Sequence, residues 1–278
     1  MWPALFPLPH RPSLSATPAG CRNYQLYAEV SPLCHIQLDE LRTRLRHAAR
    51  ELWLWVAMDV QTKVIPVWAF GPRTQAMAHT LIHQLKLTLT VDCLPVFSSD
   101  GLNLYFYALT AHCGSWCARL GTRARQWVVA AGLLYGQVKK LYRQRRLVRI
   151  EYRMQWGTLE ELKARLKALG LSGKINTAFV ERLNLTLRQA IAPLIRRTWG
   201  TAQTRFVLEM HVEWWRAYYH FVRPHQSLRV PLAQPIARSG RQLPTRYRSR
   251  TPAMAAGITR HRWSVTEFLR FPLPEAWS

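Results

Sequence analysis

Asp is rare in this chain. Among 278 residues only Asp39, Asp59, Asp92 and Asp100 carry it, so an Asp in a strand-like setting needs a reason. Asp39 lies inside the alternating segment Ile36-Gln37-Leu38-Asp39-Glu40-Leu41, which reads as a short strand. Asp100 ends the apolar run that starts at Leu94 and is followed by Gly101. Glu181 falls in a segment of helical spacing. Three carboxylates from separate elements are what two Mg²⁺ ions need, because Mg²⁺ takes hard oxygen ligands in octahedral geometry and keeps some of its waters. Two such ions about 3.5–4 Å apart activate a nucleophile and stabilise the leaving oxygen of a phosphodiester. By residue type alone the signal is weak, since any three acids can be surface groups.

The elements that must position these acids follow from the pattern. Leu52 to Met58 reads as a second strand and ends at Asp59 in a polar turn. Val64 to Phe70 is a third, and Pro66 predicts that it lies at a sheet edge. Thr74 suits the N-cap of a helix running to about Leu87. A strand, a helix and the strand that ends at Asp100 predict a parallel return beside the first strand by a right-handed crossover. Asp100 then stands at the carboxyl end of a central strand, where open α/β sheets place their sites. Glu160 to Leu169 is a short helix. Ala178 to Ile191 is another, with Phe179, Leu183, Leu187 and Ala190 on one stripe and Glu181, Asn184 and Arg188 sharing the other face. A further helix runs from about Gln203 to Phe221 and leads into Arg223-Pro224-His225-Gln226-Ser227-Leu228.

The charge balance points to a polyanion. Lys and Arg total 39 against 15 acids, a formal charge of +24, and 32 of the 39 are Arg. Arg grips phosphate with a bidentate fork. Nucleic acid is the first partner this implies, and an anionic membrane a distant second, because the Arg are spread over folded segments. Basic residues cluster within 105–172, including Arg143, Arg145 and Arg146, with aromatic residues between them. A Pro- and Arg-rich tail follows residue 230. No run of about 18 apolar residues predicts a membrane helix, and residues 1–34 lack the basic start of a signal peptide. Five irregularly spaced Cys fit a reducing cytoplasm better than a disulfide framework. His112, Cys113 and Cys117 have no second ligand pair, so ordinary thiols are preferred to zinc.

Phe179-Val180-Glu181-Arg182-Leu183-Asn184-Leu185-Thr186-Leu187-Arg188-Gln189 resembles the Glu-bearing helix of insertion-sequence DDE transposases of the IS-one-like group. Ile36 to Leu41 looks like their first-Asp strand, and Ser99-Asp100-Gly101-Leu102 like their second-Asp segment. Tyr218 to Leu228 is similar to the closing motif of many transposases and integrases. The resemblance covers roughly residues 33–230.

It implies an α/β fold with an RNase H-like core, a mixed five-stranded sheet flanked by helices. A basic insertion at about 105–172 would precede the last catalytic helix, in a core spanning 35–230. Residues 1–34 would be an arm or remnant and 231–278 a basic tail. The implied activity is metal-dependent DNA cleavage and strand transfer in transposition. Asp39, Asp100 and Glu181 would be the metal-binding triad for two Mg²⁺ ions, with Mn²⁺ able to substitute. Asp59 is the rival for the first acid; Asp39 is preferred because the first acid of that fold sits on the first strand.

Asn184, Arg188, Arg143, Arg145, Arg146, Arg223 and His225 are candidate DNA contacts, and Asn184 and Arg188 could equally steady the acid. The implied partners are double-stranded DNA, as transposon ends and target, and a second or further copies of the chain on that DNA, with no membrane. The implied place is a prokaryotic cytoplasm, at the nucleoid. The N-terminal recognition module usual in the group has no visible counterpart before Asp39. An inert DNA-binding relic or regulator and another RNase H-like nuclease are the competing readings.

Overall fold

A computed structural model describes residues 33–46, 48–89, 93–119, 123–196, 199–236 and 244–271. The arm at 1–32 and the last residues of the tail lie outside the described residues. Strands β1 (His35–Thr43), β2 (Leu52–Asp59) and β3 (Val67–Gly71) form an antiparallel meander. Helix α1 (Gln75–Thr88) crosses over to β4 (Val96–Asp100), which pairs with β1 in parallel. Helix α2 (Leu104–His112) and a two-stranded ribbon, β5 (Gly114–Ala118) with β6 (Arg125–Val129), follow. Next, β7 (Leu134–Arg143) pairs in parallel with β4, and β8 (Arg146–Trp156) turns back along it. The sheet order is β3-β2-β1-β4-β7-β8. The strand with Pro66 at its mouth is indeed at an edge. The sheet has six strands where five were expected, because β8 extends it beyond β7.

Alternation along β1 divides the molecule into two layers. Ile36 and Leu38 join a core with Trp55, Phe97, Leu81 and Leu85, under α1 and α2. Leu41 faces the other way, into a core with Leu54, Val56 and Trp68. That second core is closed by α4 (Ala178–Ala190) through Val180, Leu183 and Leu187, and by α5 (Arg205–Phe221) through Leu208, Val212 and Trp215. Helix α3 (Leu159–Ala168), started by a Thr158–Glu161 capping box, covers Val96 and Val138 with Leu162 and Leu166.

Two stretches do more structural work than their composition suggests. The basic segment 105–172 is not simply an insertion, since it supplies α2, α3 and the sheet strands β7 and β8. Within the tail, β9 (Val230–Ile236) and β10 (Thr245–Arg248) form a ribbon. Short helices α6 (Pro252–Ala255) and α7 (Val265–Arg270) pack Ala253 and Phe268 against Ala217, Phe221 and Val222 of the α5 end. Buried apolar residues spaced too widely for one periodic stripe explain why the Arg-rich composition hid this packing.

Candidate active site

The pairing register brings the first two acids together. Leu38 lies opposite Ser99 across the parallel β1–β4 pair, so Asp39 and Asp100, one residue on in each strand, are level and share a pleat face. That face is the one covered by α3 and α4. Helix α4 runs parallel to β1 and is pinned to it at three places. The Gln37 amide accepts from Val180 N at 2.9 Å and donates to Asn176 O at 2.6 Å. Asn184 Nδ2 donates to Asp39 Oδ2 at 2.8 Å. Arg188 donates to Arg42 O at 3.3 Å and to Leu194 O at 3.0 Å. The spacing works because four helical residues rise about 6 Å and two strand residues about 6.7 Å. This docking delivers Glu181, in the first turn of α4, to the acids. Asp39, Asp100, Thr177 and Glu181 line one cavity of about 410 Å³ with Lys139, Lys140 and Tyr142 of β7.

The cluster is short of positive charge. Asp39 accepts from Asn184 and from Glu40 N (2.9 Å), and Asp100 accepts from Leu102 N (3.1 Å). Burial, then the neighbouring charge of Glu40 and Asp100, pushes the Asp39 carboxyl up to about 7, with Glu181 adding to the effect. Burial also raises Asp100, against its Leu102 hydrogen bond and Arg73. Glu40 is a fourth acid that the sequence reading passed over. It points to the opposite pleat face, where Arg73 holds it at 2.5 Å and the Tyr105 hydroxyl donates to it at 3.0 Å. Its signal was adjacency to Asp39, which the search for one acid per element discarded.

Glu181 has its own cation. Lys140 Nζ contacts Oε1 at 2.5 Å and Oε2 at 2.7 Å, and the Thr177 hydroxyl donates to Oε1. In ligand type the three carboxylates fit hard divalent ions. In this arrangement the ammonium sits on the third of them, and among the described residues no set of three His, Cys, Asp or Glu is poised to hold a metal ion.

The rival first acid is built differently. Asp59 is fully buried and accepts from Cys34 N, His35 N, Thr62 N and the Thr62 hydroxyl at 2.7–3.2 Å. It lies opposite Ile36 at the start of β1, where it ties the β2–β3 turn to that strand.

The basic residues fall into two groups. A cleft of about 610 Å³ runs from Asp39 and Glu181 past Asn184 and Arg188 to Arg196. Arg188 and Arg196 also line a neighbouring cavity of about 640 Å³ with Arg42 and Arg44. Burial and the facing Arg196 lower the Arg188 pKa. By contrast, Arg143, Arg145 and Arg146 occupy the exposed tip of the β7–β8 ribbon, beyond Tyr142. Arg223 is exposed after α5. His225 bonds Ser227 and Arg250 O and feels the charge of Lys63 in the β2–β3 turn, so it belongs with the Asp59 end.

Compared with known protein families, the chain matches no family model, and it matches no curated protein. Among the described residues no helix is long and apolar enough to cross a membrane.

Proposed function

We propose that the chain is a DDE-type polynucleotidyl transferase with an RNase H-like core, acting on DNA in the transposition of an insertion sequence. One observation carries this reading: Asp39 and Asp100, level on adjacent parallel strands, share a cavity with a Glu delivered by a helix after β7. The strand order supports it, with β7 as the fifth strand of a core ordered 3-2-1-4-5 and β8 as an addition.

Two Mg²⁺ or Mn²⁺ ions on Asp39, Asp100 and Glu181 would activate the attacking oxygen and stabilise the leaving one. The chain's own groups do the rest. Asn184 fixes the Asp39 carboxylate in one orientation. Gln37 sets the height of α4 and hence of Glu181. Arg188, Arg196, Arg42 and Arg44 offer forks for the phosphates of a strand leaving the centre on one side, and Lys139 offers a point charge on the other. The Arg143–Arg146 tip would reach DNA farther out. Further copies of the chain on the paired DNA ends belong to the same reading, as does a prokaryotic cytoplasmic setting.

The test is Mg²⁺-dependent strand cleavage and joining on DNA carrying the element's ends. Glu181→Gln is expected to abolish both while leaving DNA binding intact. Equal cleavage by that variant and the wild type would refute the triad. The second reading, a DNA-binding relic without catalysis, is favoured by the Lys140–Glu181 pair. It predicts binding that weakens with salt and no cleavage with either metal.

A further inference from the structure

The Glu181 carboxylate offers both oxygens to one ammonium, from Lys140, at 2.5 and 2.7 Å. The Thr177 hydroxyl donates to one of them as well, and Thr177, Lys140 and Glu181 all line the cavity. Asp39 and Asp100, on the same cavity, have among the described residues only neutral donors within hydrogen-bonding distance: Asn184 and the amides of Glu40 and Leu102. Among the described residues, Lys140 is the one cation bonded to the three-carboxylate cluster.

Lys140 can come and go. Its side chain is 29% exposed and that of Glu181 45%, so the pair is a wet one. Such a pair contributes little to stability, about 0.2–1 kcal/mol. Four methylenes let the ammonium swing along β7 towards Tyr142, which is exposed at the cavity mouth. An Arg in its place would keep the charge; a Met would keep the stem and lose it.

We infer that Lys140 is a tethered counter-ion that competes with divalent metal for Glu181 and moves off when metal binds, free to meet a phosphate of the incoming nucleic acid strand. This rests on the metal-centre reading above and adds a positioning residue to it. The balance is one of ligands alone: the Glu181–ammonium contact breaks, a Glu181–metal contact forms, and the ammonium keeps its protons.

The test is Mn²⁺ uptake by the full chain, followed as loss of the free-ion paramagnetic resonance signal, in wild type, Lys140→Met, Lys140→Arg and Glu181→Gln. Lys140→Met is expected to bind Mn²⁺ about fivefold more tightly, the factor released when an exposed pair of this kind is removed. Lys140→Arg is expected to stay near wild type, and Glu181→Gln to lose one ion. Circular dichroism of each variant checks folding. Equal affinity in wild type and Lys140→Met, with the Glu181→Gln loss intact, overturns the exchange and leaves the metal centre standing. Weaker binding by Lys140→Met also overturns it, since Lys140 then supports Glu181. No uptake by any folded form overturns the metal centre itself, and the exchange with it.

Discussion

The buried acid opposite the start of β1 and the half-buried acids midway along it have opposite surroundings. Asp59 receives four hydrogen bonds, two from backbone amides at the start of β1 and two from Thr62. Glu213 on α5 is likewise complete: Arg216 contacts it at 2.6 Å and Trp68 Nε1 donates to it at 2.9 Å. Arg216 also donates to the carbonyls of Ile65 and Pro66, so this trio fastens α5 to the mouth of β3. Midway along β1, Asp39 and Glu40 stand near Asp100 at the end of β4, and burial first, with the neighbouring carboxylates adding to it, holds these carboxyls above their ordinary range. Saturated acids are structural, because their removal orphans buried donors. Under-neutralised acids are held in place by the fold at a cost, and carboxyls perturbed in this way cluster at functional sites.

The sharpest way to break that comparison is to delete one acid of each kind. Glu213→Ala removes the carboxylate that faces the buried Arg216 charge, and urea unfolding is expected to show a loss of about 3–5 kcal/mol. Asp59→Ala strands four donors and is expected to cost about 3 kcal/mol or more. Asp39→Asn, by contrast, relieves repulsion. Its unfolding free energy is expected to stay within about 1 kcal/mol of wild type, or to rise, while metal-dependent cleavage is lost. A large destabilisation by Asp39→Asn would place that acid with the structural pair.

The pH dependence separates the same two regions. Asp39 is raised from 3.8 to about 7, so its contribution to stability is full below pH 3.8 and is lost as pH rises through about 7. The melting-temperature advantage of Asp39→Asn is therefore expected to grow between pH 4 and 7. His35, lowered to about 4 by burial and then by Lys63, works the other way. So does the fully buried His220, whose ring accepts from Ile65 N. Both stabilise the fold above pH 6.5, and that stability drains away as pH falls below it. The smallest effect belongs to the arginines beside the centre. Arg188→Ala and Arg196→Ala are each expected to reduce the slope of log affinity for DNA against log salt by about 0.9.

Much of this centre is legible in the sequence. Alternation in Ile36–Leu41 and the strand–helix–strand order are enough to place Asp39 beside Asp100, and helical spacing is enough to put Asn184 on the Glu181 face. What those rules cannot reach is register between distant elements. Gln37 and Lys140 matter because α4 and β7 lie at particular heights against β1 and β4, which no local period encodes. Glu40 was hidden by its neighbour, and the four donors that saturate Asp59 come from a turn and a strand start that no local period brings together. The tail helices α6 and α7 were lost behind Arg and Pro because a handful of buried residues, Phe268 foremost, holds them.

On the proposed reading Asp39, Asp100 and Glu181 together hold divalent metal. Anomalous diffraction from crystals of the full chain soaked in Mn²⁺ tests it most directly. The expected map carries Mn²⁺ between Asp39 and Asp100, with a ligand from Glu181 and Lys140 displaced. A map with no Mn²⁺ on these carboxylates at saturating concentration, and Lys140 still on Glu181, would contradict it.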